Sequence, residues 1–431
     1  MAPDRPRPRR DWHLLVLAAL VVLAALRLAV FVARSAVTPT YGFVAYYTAA
    51  RLLLEGQPLD RAYHDTWFQA QIARFEPRAN DIFRPNPPTT ALLALPVAWL
   101  DHASARVVWL SLNAAALLAA GALLVRSLAW PAPWRLAFWA AAVSLQPVWA
   151  NFAYGQVYLI VLLLTVCAWA AFQRARPGAL GAALGGLLAF KLAGLLYWPL
   201  LALRRQWRAP AVALVVAAGV ALLALPLTGW AAWPAHLSVL ARLPADPRQT
   251  VTAYQALTSW ARHLFLYDPH WNPAPWLAAP LLARTLPLLG GAALLLASLY
   301  AAWVAPDARL AFAAFTLLSL ILSPLSLDYH FALALLPLAL LADWLRAQPG
   351  RRWRWPWVAF ALGVAAIGLP LPYQSARFEA GAWALLAYPK LYGSLLLWAL
   401  AVWAQLIAAR ETAALPAHTP DLPVQACLLL W

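Results

Sequence analysis

The stretch that decides the fold class is an apolar run at residues 12–34, WHLLVLAALVVLAALRLAVFVAR, together with the polar segment behind it. Residues 35–88 read SAVTPTYGFVAYYTAARLLLEGQPLDRAYHDTWFQAQIARFEPRANDIFRPNPP and carry ten charged side chains, in a chain that is 11% charged overall. An apolar run of this length crosses the hydrocarbon core of a bilayer, which needs about 20 residues. The polar segment behind it is long enough to hold water-phase chemistry.

Apolar runs of similar length recur along all 431 residues, and 64% of the residues are hydrophobic. Soluble domains average about 45–50% apolar and about 25% charged residues. The runs are continuous, whereas a β-barrel would show alternating segments of about 10 residues. The sequence therefore predicts an all-α polytopic membrane protein: a single integral-membrane domain over residues 1–431, with a bundle of about 11–13 transmembrane segments.

The arginines decide between two topologies. The candidate crossings are 12–34, 104–127, 135–150, 156–173, 178–203, 209–229, 276–304, 308–323, 329–345, 355–370 and 382–409. If 178–203 crossed once, Arg204, Arg205 and Arg208 would lie outside, against the positive-inside rule. A hairpin of two half-helices with its tip near Lys191 keeps them inside. We therefore expect twelve crossings, plus a half-embedded segment at 88–100.

This topology puts the N-terminus and a short tail at 411–431 in the cytoplasm. It also collects most of the polar groups on the non-cytoplasmic face. That face holds outer loops at 35–88 and 230–275, residues 151–156, Lys191 and residues 323–330. We expect a multi-pass protein of the plasma membrane whose chemistry takes place outside.

The net charge of +16 does not indicate a nucleic-acid partner, because the arginines are mostly in short loops where they set topology. Cys167 and Cys427 form neither a disulfide framework nor a metal site, and we expect no metal or cofactor. The chain lacks a Gly-rich phosphate loop, a His-Glu-x-x-His motif and an Asp-x-Asp pair. If the protein transfers a group, the donor is therefore not expected to be a soluble nucleotide conjugate.

The spacing of apolar residues from Tyr41 to Gly56 predicts an amphipathic helix lying on the outer membrane surface. A simple belt of interfacial aromatic residues explains Tyr46 and Tyr47 equally well. Three prolines in positions 85–88 then fix an extended entry into the half-embedded segment.

Several short motifs occur along the chain in a fixed order. They are Phe43, Tyr46, Tyr47, Ala49, Ala50 and Arg51; Gly56, Leu59 and Asp60; Pro87, Pro88 and Ala91–Pro96; Gly155–Val157; Leu188–Lys191; and Ser323–His330. In this order they resemble the integral-membrane glycosyltransferases of family 87, in the GT-C superfamily, over about residues 40–270 and more loosely beyond. The resemblance implies transfer of a sugar, typically mannose, from a polyprenyl-phosphate donor to a lipid or glycan acceptor, with membrane lipids around it.

One departure from that family concerns its general base. The family has an acidic residue just before the position of Phe43, and the resemblance gives it the task of deprotonating the acceptor hydroxyl. This chain has Gly42 there. Asp60 and Asp81, on the same loop, are the candidates to replace it, although a lone loop aspartate is more often a turn or cap residue.

Lys191 is the residue that physical chemistry singles out most strongly. A lysine in an apolar run needs an anionic partner or a water-filled cavity, and a lipid phosphate at the tip of an outward-opening hairpin would satisfy it. Snorkelling to the surface is the alternative. We predict that Lys191, Arg51, Arg84 and His330 bind the donor phosphate.

The remaining candidates are polar and aromatic groups of the outer face. We predict that sugar or acceptor is bound by Tyr46, Tyr47, Gln156, Gln255 and Asp328. Capping of the following helix explains Asp328 as well as ligand binding does. A degenerate relative or transporter that binds lipid-linked sugars without transfer remains the competing function, and Gly42 favours it.

Overall fold

The computed structural model describes residues 12–38, 41–348, 350 and 354–414. Its α-helices are α1 (Trp12–Val37), α2 (Phe43–Leu54), α3 (Asp65–Ile72), α4 (Ala91–Ala94), α5 (His102–Ser127), α6 (Ala132–Ser144), α7 (Gln146–Tyr154), α8 (Tyr158–Gln173), α9 (Pro177–Lys191), α10 (Tyr197–Leu203), α11 (Arg208–Thr228), α12 (Ala232–Arg242), α13 (Leu257–Phe265), α14 (Pro280–Val304), α15 (Ala308–Leu322), α16 (Leu335–Arg346), α17 (Arg354–Gly368) and α18 (Pro389–Ala414). The prediction of an all-α polytopic membrane protein is confirmed. The described part contains no strand beyond an isolated bridge between Asp268 and Asn272.

Six helical stretches of the described chain are long and apolar enough to cross a membrane. They are Trp12–Val37, His102–Ser127, Arg208–Thr228, Pro280–Val304, Asp328–Arg346 and Pro389–Arg410. Shorter apolar helices, among them α8, α9, α15 and α17, lie between them in the chain. The basic N-terminal head lies outside the described residues, as does the predicted tail at 411–431 apart from the end of α18.

The run at 178–203 is broken where the hairpin interpretation places its tip. Helix α9 ends at Lys191, and Leu192 takes a left-handed backbone conformation with φ 49° and ψ 26°. Gly181 packs against Ala209, and Gly185 packs against Ala213, so α9 and α11 run in the same direction. Because parallel neighbours require the chain to return between them, α10 must run back toward the start of α9.

Two predicted crossings differ in detail. The crossing at 135–150 is two helices, α6 and α7, separated by extended backbone at Leu145 just before Pro147. The final crossing begins at Pro389 and not at 382, because residues 381–387 form a 3-10 helix. Proline at the first turn costs no backbone hydrogen bond, whereas inside a helix it removes one, so both boundaries follow the prolines.

The first outer loop is a folded unit, and the prediction that its helix lies on the membrane surface is wrong. Ten of the twelve residues of α2 are buried. One side of α2 packs on the bundle, and α3 with the turns around it covers the other through Phe68, Ile72 and Phe83, all fully buried. Tyr46 and Tyr47 are 3% and 2% exposed, so they do not form an interfacial belt either.

The half-embedded segment closes the hairpin tip. Residues 88–97 are a short helix flanked by two 3-10 turns, which is too short and irregular to cross. The hydroxyls of Thr89 and Thr90 donate to the carbonyl oxygens of Ala189 and Phe190 in the last turn of α9. These bonds satisfy carbonyls that a helix end leaves free and fix the backbone next to Lys191.

The hairpin makes a direct prediction for labelling from the two sides of the membrane. Single cysteines at Gln173 and Trp207, in a background without the native cysteines, should react with an impermeant thiol reagent from the same side. A cysteine at Gln57, in the first outer loop, should react from the opposite side. All three positions are exposed. Labelling of residues 173 and 207 from opposite sides would mean that 178–203 crosses once.

Candidate active site

One large cavity, of about 920 Å³, opens among the segments predicted for the outer face. Its walls are formed by some of the residues in the segments 41–46, 63–65, 81–86, 156–158, 191–192, 239–254 and 323–330, the last without Asp328. The two outer loops, the hairpin tip and the turn before α16 thus meet around one space. The described residues contain no group of three or more His, Cys, Asp and Glu side chains that could hold a metal ion.

Asp81 presents a carboxylate to this cavity. Its Oδ2 accepts a hydrogen bond of 2.5 Å from the backbone N–H of Gly42, and its Oδ1 accepts one of 2.8 Å from the N–H of Ile82. Burial raises the pKa of Asp81 to about 7, although both N–H donors and the Lys191 charge favour ionisation. A carboxyl with a pKa of about 7 can accept a proton efficiently near neutral pH.

Gly42 cannot carry a side chain with this backbone. Its φ of 102° is strained for any L-residue, and a Cβ there would overlap the carbonyl oxygen of Tyr154. The backbone N–H of Gly42 is instead bonded to the carboxylate of a residue 39 positions further along the chain. Asp81 therefore brings a carboxylate to the position where the resemblance of the loop motifs leads us to expect an acidic residue.

Lys191 reaches the same cavity from the hairpin tip. Its Nζ donates to the hydroxyl of Tyr46 at 2.8 Å and to Oδ1 of Asn86 at 2.7 Å. The Tyr46 hydroxyl in turn donates to Oε1 of Gln156 at 2.6 Å. An ammonium has three N–H donors, so these two bonds leave one for a ligand. The ammonium also lies 4.7 Å from the centre of the Tyr46 ring and 5.3 Å from that of Tyr158.

His330 completes this inner wall. Its Nδ1 accepts a hydrogen bond of 3.0 Å from the backbone N–H of Leu327, which places the proton of a neutral ring on Nε2. The ring packs on Tyr158, with centroids 3.9 Å apart, and on Tyr329. His330 is thus oriented to donate one hydrogen bond from Nε2.

Four charged side chains form a ring at the cavity rim and join the two outer loops. Arg84 lies 3.3 Å from Asp65 and 3.6 Å from Asp246, and Arg248 lies 3.6 Å from Asp65 and 2.8 Å from Asp246. Burial favours the neutral form of Asp246, but hydrogen bonds from Arg248 and the charge of Arg84 outweigh it and lower its pKa. Arg84 is therefore held between two carboxylates at the cavity rim.

Comparison with known proteins identifies the family of this chain. Residues 85–325 match the model of Glycosyltransferase family 87, which is more than half of the chain. The protein belongs to glycosyltransferase family 87. A segment of 223 residues is 30% identical to a polyprenol-phosphate-mannose-dependent alpha-(1-2)-phosphatidylinositol mannoside mannosyltransferase of Mycobacterium tuberculosis. The aligned segment covers 48% of this chain and 50% of that relative, so the chain spans about half the length of the curated protein it matches. No solved structure matches the chain.

The family match begins at residue 85, near the end of the first outer loop. The equivalence between Gly42 and the acidic residue of family 87 therefore rests on the short motifs of that loop, Phe43 to Arg51 and Gly56 to Asp60. The hairpin tip, the Gly155–Val157 turn and the second outer loop all lie within the matched residues.

Five predicted residues of this family 87 member do not line the cavity: Asp60, Arg51, Tyr47, Gln255 and Asp328. Asp60 is half-buried in a 3-10 turn, Leu59–Tyr63, and does not line the cavity. Arg51 donates to the carbonyl oxygen of Ala98 and pairs with Glu55. The hydroxyl of Tyr47 donates to the carbonyl oxygen of Leu100, and the amide of Gln255 bonds to backbone groups of Thr252, Ala387 and Lys390. The cavity wall does include Asp81, Lys191, Arg84, His330, Tyr46 and Gln156.

Asp328 belongs to a separate buried network around Lys390. Lys390 is 1% exposed, and its Nζ lies 3.6 Å from Oδ1 of Asp328 while donating to Oε1 of Gln146 and to the carbonyl oxygen of Ile367. Asp328 also accepts hydrogen bonds from Gln146 and from the hydroxyl of Tyr373. Lys390 does not snorkel to the surface, because it has an anionic partner inside the protein.

The site also contains residues that are not apparent from the sequence. Asn86, Tyr158, Tyr329, Asp65 and Asp246 line the cavity without belonging to a predicted set. Only Asn86, next to the proline run, carries a local signal. The other residues reach the cavity through packing between segments that are distant in the chain, and no local sequence pattern predicts that packing.

The Lys390–Asp328 pair makes a stability prediction. Lys390→Met and Asp328→Asn should each lower the free energy of unfolding by about 3–5 kcal/mol, because each leaves the partner charge buried and unpaired. The double variant should be more stable than either single variant. Thermal unfolding in detergent measures this, with Arg377→Met, which removes an exposed cation, as the control. Single variants as stable as wild type would contradict the pairing.

Proposed function

We propose that this protein is a membrane glycosyltransferase that moves a hexose, most simply mannose, from a polyprenyl-phosphate donor to a lipid or glycan acceptor on the outer face of the plasma membrane. The observation that carries the proposal is that a carboxylate, Asp81, and a cation, Lys191, face one cavity from segments 110 residues apart. Transfer from a lipid phosphate needs both groups. One takes a proton from the acceptor, and the other stabilises the phosphate that leaves.

Asp81 is the group that accepts the proton. The acceptor hydroxyl gives its proton to the carboxylate as its oxygen forms a bond to the anomeric carbon of the donor sugar. The two backbone N–H donors from Gly42 and Ile82 hold the carboxylate in place, and the raised pKa makes it a stronger base than an exposed aspartate.

Lys191 and His330 act on the leaving group. As the bond between the anomeric carbon and the phosphate oxygen breaks, negative charge accumulates on the polyprenyl phosphate. A fixed ammonium and a fixed N–H donor stabilise that charge without reorganising during the reaction. Arg84 can add to this effect only by leaving one of its two carboxylate partners, so we assign it to the cavity rim rather than to the reacting phosphate.

The aromatic wall suits a sugar. Tyr46, Tyr158 and Tyr329 line the cavity beside Lys191, and aromatic faces pack against the apolar C–H faces of hexoses. Gln156 adds a polar group at the same place. The arginine distribution supports the outer face, since residues 173–176 and 204–208 lie at the opposite end of the α9–α10 hairpin from the cavity.

The assignment of the base is tested by comparing the two candidate carboxylates. Asp81→Asn should lower the rate of transfer from polyprenyl-phosphate-mannose by about 100- to 10,000-fold, the usual contribution of a general base. Asp60→Asn should leave the rate close to wild type, because its side chain does not line the cavity. Lys191→Ala should weaken binding of the polyprenyl-phosphate donor and also lower the rate of transfer. Transfer of labelled mannose to membrane lipids is the assay.

Two results would contradict this assignment. A larger loss in Asp60→Asn than in Asp81→Asn would move the base to the other carboxylate. Wild-type protein that binds polyprenyl phosphate but transfers nothing from several donors would support the competing function, a binding protein for lipid-linked sugars.

In an active enzyme, the rate should fall tenfold per pH unit below about pH 7, because protonated Asp81 cannot accept the acceptor proton.

A further inference from the structure

The backbone that carries Asp81 has no regular secondary structure. Residues 79–83 belong to no helix, and the described chain pairs them with no strand. Ala79 and Phe83 are buried, at 4% and 0% exposure, and fix the two ends of this segment. Asp81 itself lies between them and is only partly buried. An irregular segment holds one conformation only when other groups determine it.

One side chain, Gln69, supplies that constraint. Its Nε2 donates a 2.7 Å hydrogen bond to the carbonyl oxygen of Ala79, and its Oε1 accepts a 3.1 Å bond from the backbone N–H of Asp81. The amide thus satisfies a carbonyl and an N–H two residues apart on one side of the segment, as a neighbouring strand would. Because hydrogen bonds are directional, these two bonds fix both the position and the orientation of the backbone at Asp81.

The helix that carries Gln69 is itself firmly held. Phe68 and Ile72 are fully buried in the core of the first outer loop, and the Phe68 ring lies 5.9 Å from that of Phe83. Asp65, at the start of α3, is tied to Arg84 in the rim ring. Helix α3 therefore runs alongside residues 79–84 and contacts them through Asp65, Phe68 and Gln69. Of these three, Gln69 is the one that bonds to Asp81.

We infer that Gln69 is a positioning residue that holds the Asp81 carboxylate against the Gly42 N–H and so directs it to the acceptor hydroxyl. This inference rests on the proposed role of Asp81 as the proton acceptor. Gln69 does not line the cavity, so it acts through Asp81 alone. Gly42 and Gln69 have complementary roles. Gly42 donates its backbone N–H to the carboxylate, and Gln69 holds the backbone of Asp81 where the carboxylate can accept that bond.

The test compares two glutamines of the same helix. Gln69→Leu keeps the size of the side chain and removes both hydrogen bonds, whereas Gln71→Leu removes only a bond to the side chain of Arg74. Gln69→Leu should lower kcat for mannosyl transfer by about 10- to 100-fold, the effect of misplacing a catalytic group by about 1 Å or less. The KM for the donor should stay within about twofold, because ground-state binding is untouched. Gln71→Leu should match wild type in both.

A second measurement separates this inference from the proposed function, because it needs no substrate. The carboxyl band of Asp81 in infrared difference spectra, identified by its loss in Asp81→Asn, reports the ionisation of the unliganded protein in lipid nanodiscs. Wild type should titrate at about pH 7. In Gln69→Leu the carboxylate is no longer held against the Gly42 N–H and becomes less buried. Loss of that hydrogen bond alone would raise the pKa of Asp81, but burial is the larger influence, so its loss should dominate and the midpoint should fall. The acid limb of the pH–rate profile should move with it.

The outcomes are distinct. If Gln69→Leu lowers the midpoint while wild type transfers no sugar, the positioning role stands and the proposed transferase function fails. If wild type is active and Gln69→Leu changes neither kcat nor the midpoint, Gln69 is only a loop brace and the inference is wrong. If Gln69→Leu does not fold, Gln69→Glu, which keeps the acceptor for the Asp81 N–H and loses the bond to Ala79, takes its place. An unchanged kcat and an acid limb still at about pH 7 in that variant would overturn the inference.

Discussion

The hydrogen bond from the Gly42 N–H to the Asp81 carboxylate is the contact on which the rest of the site depends. It joins the entry of the first outer loop to its exit and requires a backbone that only glycine adopts easily, at φ 102°. The carbonyl oxygen of Tyr154 occupies the space of a Cβ. An aspartate at position 42 would therefore require a different backbone, and the carboxylate arrives from another residue instead.

The membrane imposes the second constraint. A lysine within an apolar run is costly unless its charge meets polar partners or water. Breaking the run at Leu192 puts Lys191 on the inner wall of the cavity, close to Tyr46, Asn86 and the charge of Asp81. The hydroxyls of Thr89 and Thr90 hold the broken helix end. The helix break and the place of Lys191 in the cavity wall thus have one structural cause.

The sequence predicts the features of this fold that are local in the chain. Run length and composition identify the helices, and the arginine count alone indicates the hairpin at Lys191. The motif order leads to the family, which the match over residues 85–325 confirms. Long-range packing is what the sequence does not report. The spacing of α2 resembles that of a surface helix, yet α3 covers its outer side, because Phe68 and Phe83 are apolar at positions where periodicity could not assign a partner.

The candidate site shows the same difference between local features, which the sequence predicts, and long-range packing, which it does not. Lys191 and His330 lie in apolar surroundings where a polar group stands out, and both reach the cavity. Asp60 and Asp81 look alike in sequence, and only the fold separates them. Arg51, Tyr47 and Gln255 share motifs or loops with cavity residues, but their polar atoms bond to backbone groups that only tertiary structure brings near. Asp328 and Lys390, 62 residues apart, pair for reasons that no local pattern contains.

The most direct test of the central claim is a structure of Asp81→Asn with a polyprenyl-phosphate sugar and an acceptor bound, where the slowed reaction preserves both. We expect the acceptor hydroxyl to lie within hydrogen-bond distance of the side chain of residue 81, with the donor phosphate bound to Lys191. An acceptor hydroxyl placed against Asp60, or a donor phosphate bound away from Lys191, would contradict it.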